Sequence, residues 1–220
     1  MRLIGFGCSW TYGSELFDAN IGADQHHANT KYRNNNVWLG RLATRLGYES
    51  DNRAEPANSN FGIANQVAQY FLKSYNPNEK VIICIAWTEH SRMSWYDTKW
   101  THLGFVNKEN KWIESAKEYV SYSTDESYQL YTDNAKLFAN SICKAKNIPI
   151  IQFNAIGMHE STNYDNYFVD GSSMKEVLDS AMKEDDRKQL FCKGNHPNEQ
   201  GHEYFTRRLT EFVKSHIIIE

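Results

Sequence analysis

The sequence predicts an α/β sandwich built around a parallel sheet. Its clearest strand is the continuous apolar run KVIICIAW at 80–87, a pattern typical of a central parallel strand that is covered on both faces. Shorter apolar runs at 2–6 and 148–153 alternate with segments whose apolar residues recur at helical spacing. Because strands that alternate with helices form parallel sheets with helices on both faces, this order favours three layers, α/β/α.

The first half of the chain alternates strands and helices around one long loop. RLIGF at 2–6 predicts the first strand, and the asparagine-rich stretch 17–36 predicts a surface loop. Apolar spacing predicts a helix over 38–46 with Gly47 as its C-cap, followed by a short strand near 48–53. The next amphipathic helix has an apolar face made of Phe61, Ala64, Val67, Ala68, Phe71 and Leu72.

The second half continues the alternation. A small hairpin is predicted at 104–113, and a long helix over 126–146 leads into the strand at 148–153. A further helix is predicted over 173–190, and the last one begins near Asn198. The long helix is expected to bury Leu130, Leu137, Phe138, Ile142 and Ala145. The last helix is expected to bury His202, Phe205, Leu209 and Phe212, with His202 as a core histidine.

Length and composition narrow the class of protein. The 220 residues predict one domain with insertions near 17–36, 89–125 and 155–190. A net charge of -3 gives no basic surface for nucleic acid or an anionic membrane. Four cysteines without a Cys-x-x-Cys pair, and the lack of a signal peptide or membrane span, predict a cytoplasmic protein, with association with a virion as the alternative.

Two motifs at opposite ends of the chain carry polar chemistry. Small residues surround Ser9 in GCSWTYG, directly after the first strand, and His196 begins HPN before the last helix. The first motif lacks the spacing of a dinucleotide fingerprint, a phosphate loop or an α/β-hydrolase nucleophile elbow. Ligands of parallel sheets bind beyond the carboxyl ends of the strands, where Ser9, Thr88 and Asn154 are expected. Cys192 and the two histidines at 196 and 202 lack a fourth zinc ligand, so no metal or other cofactor is predicted.

Together these motifs resemble the SGNH hydrolases, also called GDSL esterases or lipases. GCSWTYG is similar to the Gly-x-Ser-x-Thr-x-Gly variant of the family's first block. His196-Pro197-Asn198, followed by Gly201-His202, is similar to the last block. The resemblance implies a flavodoxin-like α/β/α fold. It also implies that Ser9 is the nucleophile and His196 the base that activates it.

The middle blocks depart from the family pattern. In EPANSNFGIANQ, Ala57 occupies the position of the family's glycine and Ser59-Asn60 follow it, with Gly62 as an alternative register. Thr88 stands where the family has asparagine, and a phage-encoded Trp-Thr…Arg version of this block would add Arg92. The implied oxyanion donors are Ser9, Ala57 or Gly62, and Thr88. Asn60 and Arg92 are candidates for orienting groups or for contacting the substrate.

The acid that usually precedes the catalytic histidine is missing. The family has aspartate three residues before the histidine, and here that residue is Lys193. Glu89, Asp185 and Asp186 are the candidate replacements, and a backbone carbonyl could instead orient His196 in a Ser–His dyad.

The resemblance implies hydrolysis of a small acyl ester through an acyl-enzyme on Ser9. An O-acetylated carbohydrate is the expected substrate class. The high aromatic content suggests a sugar-binding surface, and the resemblance to the family implies such esters. Attack by a sugar hydroxyl in place of water would make the same site an O-acetyltransferase. Lys193 and Thr88 favour the competing hypothesis, a non-catalytic structural or binding protein with this fold, of phage origin. No feature of the sequence specifies an oligomeric state.

Overall fold

A four-stranded parallel sheet organises the chain. The computed structural model describes residues 1–96, 100–103, 123–157, 167–168, 173–185 and 189–216. The strands of the sheet are β1 (Arg2–Phe6), β2 (Glu49–Asn52), β3 (Val81–Trp87) and β6 (Ile150–Asn154), and the antiparallel pair β4 (Met93–Tyr96) and β5 (Trp100–Leu103) stands apart from them. The order of the sheet is β2-β1-β3-β6, with all neighbours parallel. This order reproduces the first four positions of a flavodoxin-like sheet.

In the described part of the chain, seven helices connect the strands and cover the sheet. They are α1 (Ser9–Tyr12), α2 (Thr30–Asn36), α3 (Trp38–Leu46), α4 (Asn60–Lys73), α5 (Asp125–Ala145), α6 (Met174–Glu184) and α7 (Glu199–His216). In β3, alternate side chains belong to two separate cores, and all seven residues are buried. Cys84 packs with α3, α6 and α7, whereas Ile83 packs with α4 and α5. The three-layer α/β/α prediction is therefore confirmed.

The predicted strands and most helices are confirmed, with two differences of extent. The stretch 17–36 does not remain a loop, because its last seven residues form α2. Arg33, although charged, is buried in this helix and donates hydrogen bonds to the His26 carbonyl and the Tyr12 hydroxyl, which hold the helix in place. The helix predicted over 173–190 ends at Glu184. The hairpin predicted at 104–113 lies outside the described residues.

The buried face of α5 was predicted wrongly. Leu130, Leu137 and Phe138 are exposed, and the buried residues are Thr132, Ala135, Lys136, Ala139 and Cys143. The buried residues are mostly small, so they allow α5 to approach α4, with which it shares the second core. Volume at the contact, and not hydrophobicity alone, therefore selects the inner face.

Lys136 is the unusual member of that buried face. Its side chain has no exposed surface, and its amine lies 5.0 Å from the centre of the Tyr167 ring. Burial lowers the pKa of Lys136 to about 8, since an ammonium ion loses its hydration there, although Asp133 partly offsets this effect. A lysine at this position can thus be accommodated partly by losing its proton.

His202 is a core histidine, as predicted. It is fully buried in α7, and its Nδ1 accepts a hydrogen bond from the Trp38 backbone N–H at 3.2 Å. This bond fixes the start of α3 against α7. Burial, with the positive charge of Arg41 as a smaller cause, lowers the pKa of His202 to about 3, so the ring is neutral in the folded protein.

Within the described part of the chain, no helix combines the length and the hydrophobicity needed to cross a bilayer.

The neutral His202 should make stability depend on pH. The unfolded chain protonates this ring near pH 6.5, whereas the folded chain does so only near pH 3. The unfolded state therefore binds more protons between these two pH values. As the pH is lowered from 6.5 towards 3, the free energy of unfolding should decrease by up to about 1.4 kcal/mol per pH unit. Asparagine can accept the Trp38 hydrogen bond but does not titrate. We expect His202→Asn to flatten this slope between pH 6.5 and 4.5 in urea unfolding. His27→Asn, at an exposed loop position, should keep the wild-type slope, and an unchanged slope in His202→Asn would contradict the assignment.

Candidate active site

Ser9 lies at the point where β1 turns into the short helix α1. It is the first residue of α1 and is 8% exposed. Its carbonyl accepts hydrogen bonds from the backbone N–H groups of Gly13 and Ser14, both at 3.0 Å. A Cβ at Gly7 would come within 2.3 Å of Thr11 Oγ1, so this tight entry requires glycine. The small residues of GCSWTYG therefore allow the chain to reverse directly after the strand.

His196 is carried by a tight turn before α7. Phe191 and Pro197 form an antiparallel bridge, and the Cys192 N–H donates to the His196 carbonyl at 2.8 Å. The Asn195 N–H donates to the Cys192 carbonyl at 3.1 Å, with Asn195 in the left-handed region at φ 63°. These bonds fix the backbone from which the His196 ring projects.

The acid that contacts His196 is Glu15. Its Oε2 lies 2.7 Å from His196 Nδ1, and its Oε1 accepts a hydrogen bond from the Gly194 N–H at 2.9 Å. The His196 N–H lies 3.4 Å from Oε2. One carboxylate therefore holds both the ring and the backbone of the turn, although 181 residues separate Glu15 from His196 in the sequence.

This contact determines which nitrogen of His196 carries the proton in the neutral ring. An ionised carboxylate can only accept hydrogen bonds, so Nδ1 must donate to Glu15. The neutral ring then has its lone pair on Nε2, the state that a general base requires. Partial burial raises the pKa of Glu15, but hydrogen bonds from His196 and Gly194 outweigh it and hold the pKa below its ordinary value. Glu15 therefore remains an acceptor at neutral pH.

The Ser9 and His196 segments form one local unit. Glu15 follows α1 by three residues, and the rings of Trp10 and Phe191 pack with their centroids 5.9 Å apart. Although both residues are described, no hydrogen bond joins the Ser9 hydroxyl to the His196 ring in this structure. Such bonds are often long in the absence of substrate.

Asn60 holds the loop that follows β3. Its Oδ1 accepts from the Thr88 N–H at 2.8 Å, and its Nδ2 donates to the Thr88 carbonyl at 3.0 Å. The same Nδ2 donates to Thr132 Oγ1 at 3.0 Å. Asn60 is 3% exposed, and Thr88 is completely buried. The two bonds to Thr88 fix its backbone relative to the start of α4.

The structure distinguishes the two registers of the second block. Ala57 adopts φ 61°, in the left-handed region that favours the glycine of the family pattern. The Gly62 N–H donates to the Ser59 hydroxyl at 3.1 Å, because Ser59 is the N-cap of α4. The backbone geometry therefore favours Ala57 over Gly62 as a donor of a free N–H group.

The remaining candidate acids do not contact His196. Glu89 lies half-buried in the loop after β3, and Asp185 caps the end of α6. Asp186 lies outside the described residues. The His196 ring hydrogen-bonds to Glu15 and to neither of the described alternatives. The sequence feature that could have identified Glu15 is its position. An acid two residues after the Gly13 turn is held close to Ser9 by the chain itself.

Lys193 and Arg92 occupy different surroundings. Lys193 is exposed on the turn, where the family has its aspartate. Arg92 is half-buried after β3, and its Nε and Nη1 are buried without a hydrogen-bond partner among the described residues. Neither side chain hydrogen-bonds to Ser9 or His196.

The cysteines and histidines do not assemble into a metal site in the described part of the chain. No three His, Cys, Asp or Glu side chains come close enough there to share an ion. Cys8, Cys84 and Cys143 are buried free thiols, and Cys192 is partly buried. Burial raises the pKa of Cys192, with the charges of Glu15 and Glu199 as further causes, so its thiol stays protonated at neutral pH.

The close fit between Glu15 and Gly194 can be tested through stability. A Cβ at Gly194 would lie 2.5 Å from Glu15 Oε2, so we expect Gly194→Ala to lower the free energy of unfolding by about 1–3 kcal/mol. In a Glu15→Ala background the obstructing carboxylate is absent, and most of that cost should disappear. Urea unfolding of the wild type, both single variants and the double variant measures this coupling. An equal cost in both backgrounds would contradict the contact.

Comparison with known proteins identifies the fold. No family model and no curated protein matches the sequence. The psychrotrophic esterase EstA from Pseudoalteromonas sp. superposes with a TM-score of 0.50 at 10% identity, covering 97% of both chains. LAE5, an alpha/beta hydrolase enzyme from the metagenome of Lake Arreo, Spain, gives 0.50 at 11% identity, covering 97% of this chain and 94% of its own. A member of the lipolytic protein G-D-S-L family from Veillonella parvula gives 0.42 at 13% identity, covering 96% of this chain and 97% of its own. The strand order and the two full-length superpositions at 0.50 show that this chain has the α/β/α fold of EstA and LAE5.

Proposed function

We propose that the protein is a serine esterase of the SGNH type, in which Ser9, His196 and Glu15 form the catalytic triad. The observation that carries this proposal is the 2.7 Å contact between Glu15 Oε2 and His196 Nδ1. A histidine oriented by a carboxylate through Nδ1 has a basic Nε2, which a serine hydroxyl needs as a proton acceptor. Glu15 supplies the acid from the N-terminal side of the fold, in place of the aspartate expected at Lys193.

The proposed reaction has two symmetrical halves. Nε2 of His196 takes the proton of the Ser9 hydroxyl while its oxygen attacks the acyl carbonyl carbon. The same proton then passes to the leaving alcohol, and an acyl-enzyme remains on Ser9. In the second half, His196 takes a proton from water, the hydroxide attacks the acyl group, and the carboxylic acid leaves as the proton returns to Ser9. Glu15 stays ionised and stabilises the imidazolium formed in each half.

Backbone N–H groups are the proposed oxyanion donors. Ser9 and Trp10 begin a helix, so their N–H groups have no acceptor within that helix. Ala57 provides another N–H from a backbone in the left-handed region. The Thr88 hydroxyl is the proposed third group, on a backbone that Asn60 fixes. Donors held in place before the reaction stabilise the charge of the tetrahedral intermediate without reorganising.

The proposed substrate is a small acyl ester, with an O-acetylated carbohydrate as the expected class. The described esterase of the same fold, EstA, supports ester hydrolysis as the reaction type. A sugar hydroxyl that replaced water in the second half would give acetyl transfer by the same residues.

Covalent labelling tests the nucleophile. We expect a fluorophosphonate probe to label the wild type at Ser9 and to abolish hydrolysis of an aryl acetate, because phosphonylation traps the activated serine. Ser9→Ala should not be labelled, and His196→Ala should be labelled far more slowly, since its serine has no base. Ser14→Ala removes a nearby hydroxyl and serves as the control. Failure of the folded wild type to react between pH 6 and 9 would contradict the proposal and favour a non-catalytic binding protein.

Removal of the acid tests the role of Glu15. Glu15→Gln should lower kcat/KM by about 10²–10⁴-fold, because an amide no longer enforces the donating Nδ1 or stabilises the imidazolium. Glu49→Gln, an exposed change in β2, should have no effect.

Lys193→Asp places a carboxylate at the family's usual position. It should recover part of the activity when it is added to Glu15→Gln. Full activity in Glu15→Gln would show that His196 does not depend on this acid.

A further inference from the structure

A cavity of about 540 Å³ lies behind the turn that carries His196. Its walls come from the end of α1 and the residues after it, from the loop before α2, from α2 itself, and from Cys192 and Lys193. This volume lies within the range of small-molecule sites. Ser9 does not line it, whereas Glu15 does. The cavity therefore adjoins the proposed triad from the side of its acid.

Arg33 provides a buried positive charge in this cavity. Its residue is 5% exposed, yet it donates only to neutral oxygens: the His26 carbonyl at 2.7 Å, the Tyr12 hydroxyl at 3.0 Å and Thr30 Oγ1 at 3.2 Å. Its guanidinium carbon lies 4.7 Å from the centre of the Tyr12 ring. No carboxylate forms an ion pair with Arg33 among the residues that the structure describes. A guanidinium cannot lose its proton, so this charge persists at all physiological pH values.

A buried charge without a counter-ion is costly, and proteins usually pair it. The three hydrogen bonds of Arg33 use one hydrogen of Nη1 and both hydrogens of Nη2. Nε–H and the second hydrogen of Nη1 remain for another acceptor. Glu15 lines the same cavity but directs its two oxygens at His196 and Gly194. The nearby side chains of His26 and Lys193 add no negative charge.

The remaining lining combines apolar side chains with the polar residues Ser14 and Asn29. Leu16 is buried, and Phe17 and Ala23 are exposed at the rim. The loop is held by the buried side chain of Asn29, whose Oδ1 accepts from the Asp18 N–H at 2.8 Å. Asn29 Nδ2 donates to the carbonyls of Gly22 and Gln25. The wall is therefore fixed by hydrogen bonds before any ligand binds.

We propose that this cavity binds an organic anion with one carboxylate and a small apolar body, the carboxylate on Arg33 and the body against Leu16 and Phe17. The bound carboxylate supplies the counter-ion that the described residues do not. This chemistry could come from the acid portion of a substrate or from a separate effector. Because Glu15, Cys192 and Lys193 share the wall, occupancy would also change the surroundings of the turn that holds His196.

Direct binding tests the proposal independently of any esterase activity. Hexanoate is the probe, and hexanamide is its neutral control of equal length, both titrated into the wild type by calorimetry. We expect saturable binding of hexanoate at least about tenfold tighter than hexanamide, because charge-assisted hydrogen bonds exceed neutral ones. Equal affinities, or the absence of saturable hexanoate binding, would overturn the proposal.

Two variants locate the site. Arg33→Gln should weaken hexanoate at least about tenfold, whereas Arg207→Gln, an exposed arginine of α7, should not. Because Arg33 also ties the loop to Tyr12, a second variant leaves it in place. Phe17→Glu puts a carboxylate at the exposed rim, where it competes with hexanoate for Arg33, so this variant should abolish hexanoate binding. Phe17→Gln is its uncharged control and should retain the preference for hexanoate over hexanamide. Unchanged hexanoate binding in folded Arg33→Gln or in Phe17→Glu would overturn the assignment.

Inhibition of aryl acetate hydrolysis by hexanoate then distinguishes the two sources of the ligand. Competitive inhibition assigns the carboxylate to the substrate, and non-competitive inhibition assigns it to a separate effector. The binding measurements stand even if Ser9 proves unreactive, so the failure of one proposal can be told from the failure of the other.

Discussion

The carboxylate of Glu15 is the group on which the arrangement of the candidate site depends. It joins the turn after β1 to the turn before α7, two segments that lie 181 residues apart in the sequence. A single side chain holds the His196 ring through Nδ1 and the backbone through Gly194. A Cβ at Gly194 would lie 2.5 Å from this carboxylate, so glycine leaves room for the contact. The sheet brings the two ends of the chain together, but this contact sets the orientation of the histidine.

The sequence departs from the family pattern at three positions of the candidate site, and at each of them the surrounding structure provides a related contact or backbone geometry. Lys193 stands where the family pattern has an acid, and the carboxylate that contacts His196 is that of Glu15, from the other end of the chain. Ala57 adopts the left-handed backbone that glycine would adopt, at some conformational cost. Thr88 stands where the family pattern has asparagine, on a loop whose backbone N–H donates to Asn60 and whose carbonyl accepts from Asn60. Each substitution changes a residue type while the local backbone retains a defined geometry.

Three buried basic groups show three ways of accommodating charge in this fold. His202 is neutral, because burial lowers its pKa to about 3 and Nδ1 accepts a hydrogen bond from Trp38. Lys136 lies over the Tyr167 ring, and burial lowers its pKa to about 8, so it can lose its proton at modest cost. Arg33 has neither option, since a guanidinium remains charged. That difference is why an external anion is the natural partner for Arg33 and not for the other two.

The sequence alone determined the strands, most helices and the two polar motifs. Local patterns suffice for these, because β3 is continuously apolar and Gly47 ends α3 in the left-handed conformation predicted for a C-cap. The tertiary structure decided which face of α5 is buried, because small residues such as Ala135 and Ala139 fit against α4 where Leu137 does not. It also decided that Glu15 is the carboxylate that contacts His196. A carboxylate and a histidine so far apart leave no trace in local spacing, and only the packed sheet brings them within hydrogen-bond distance.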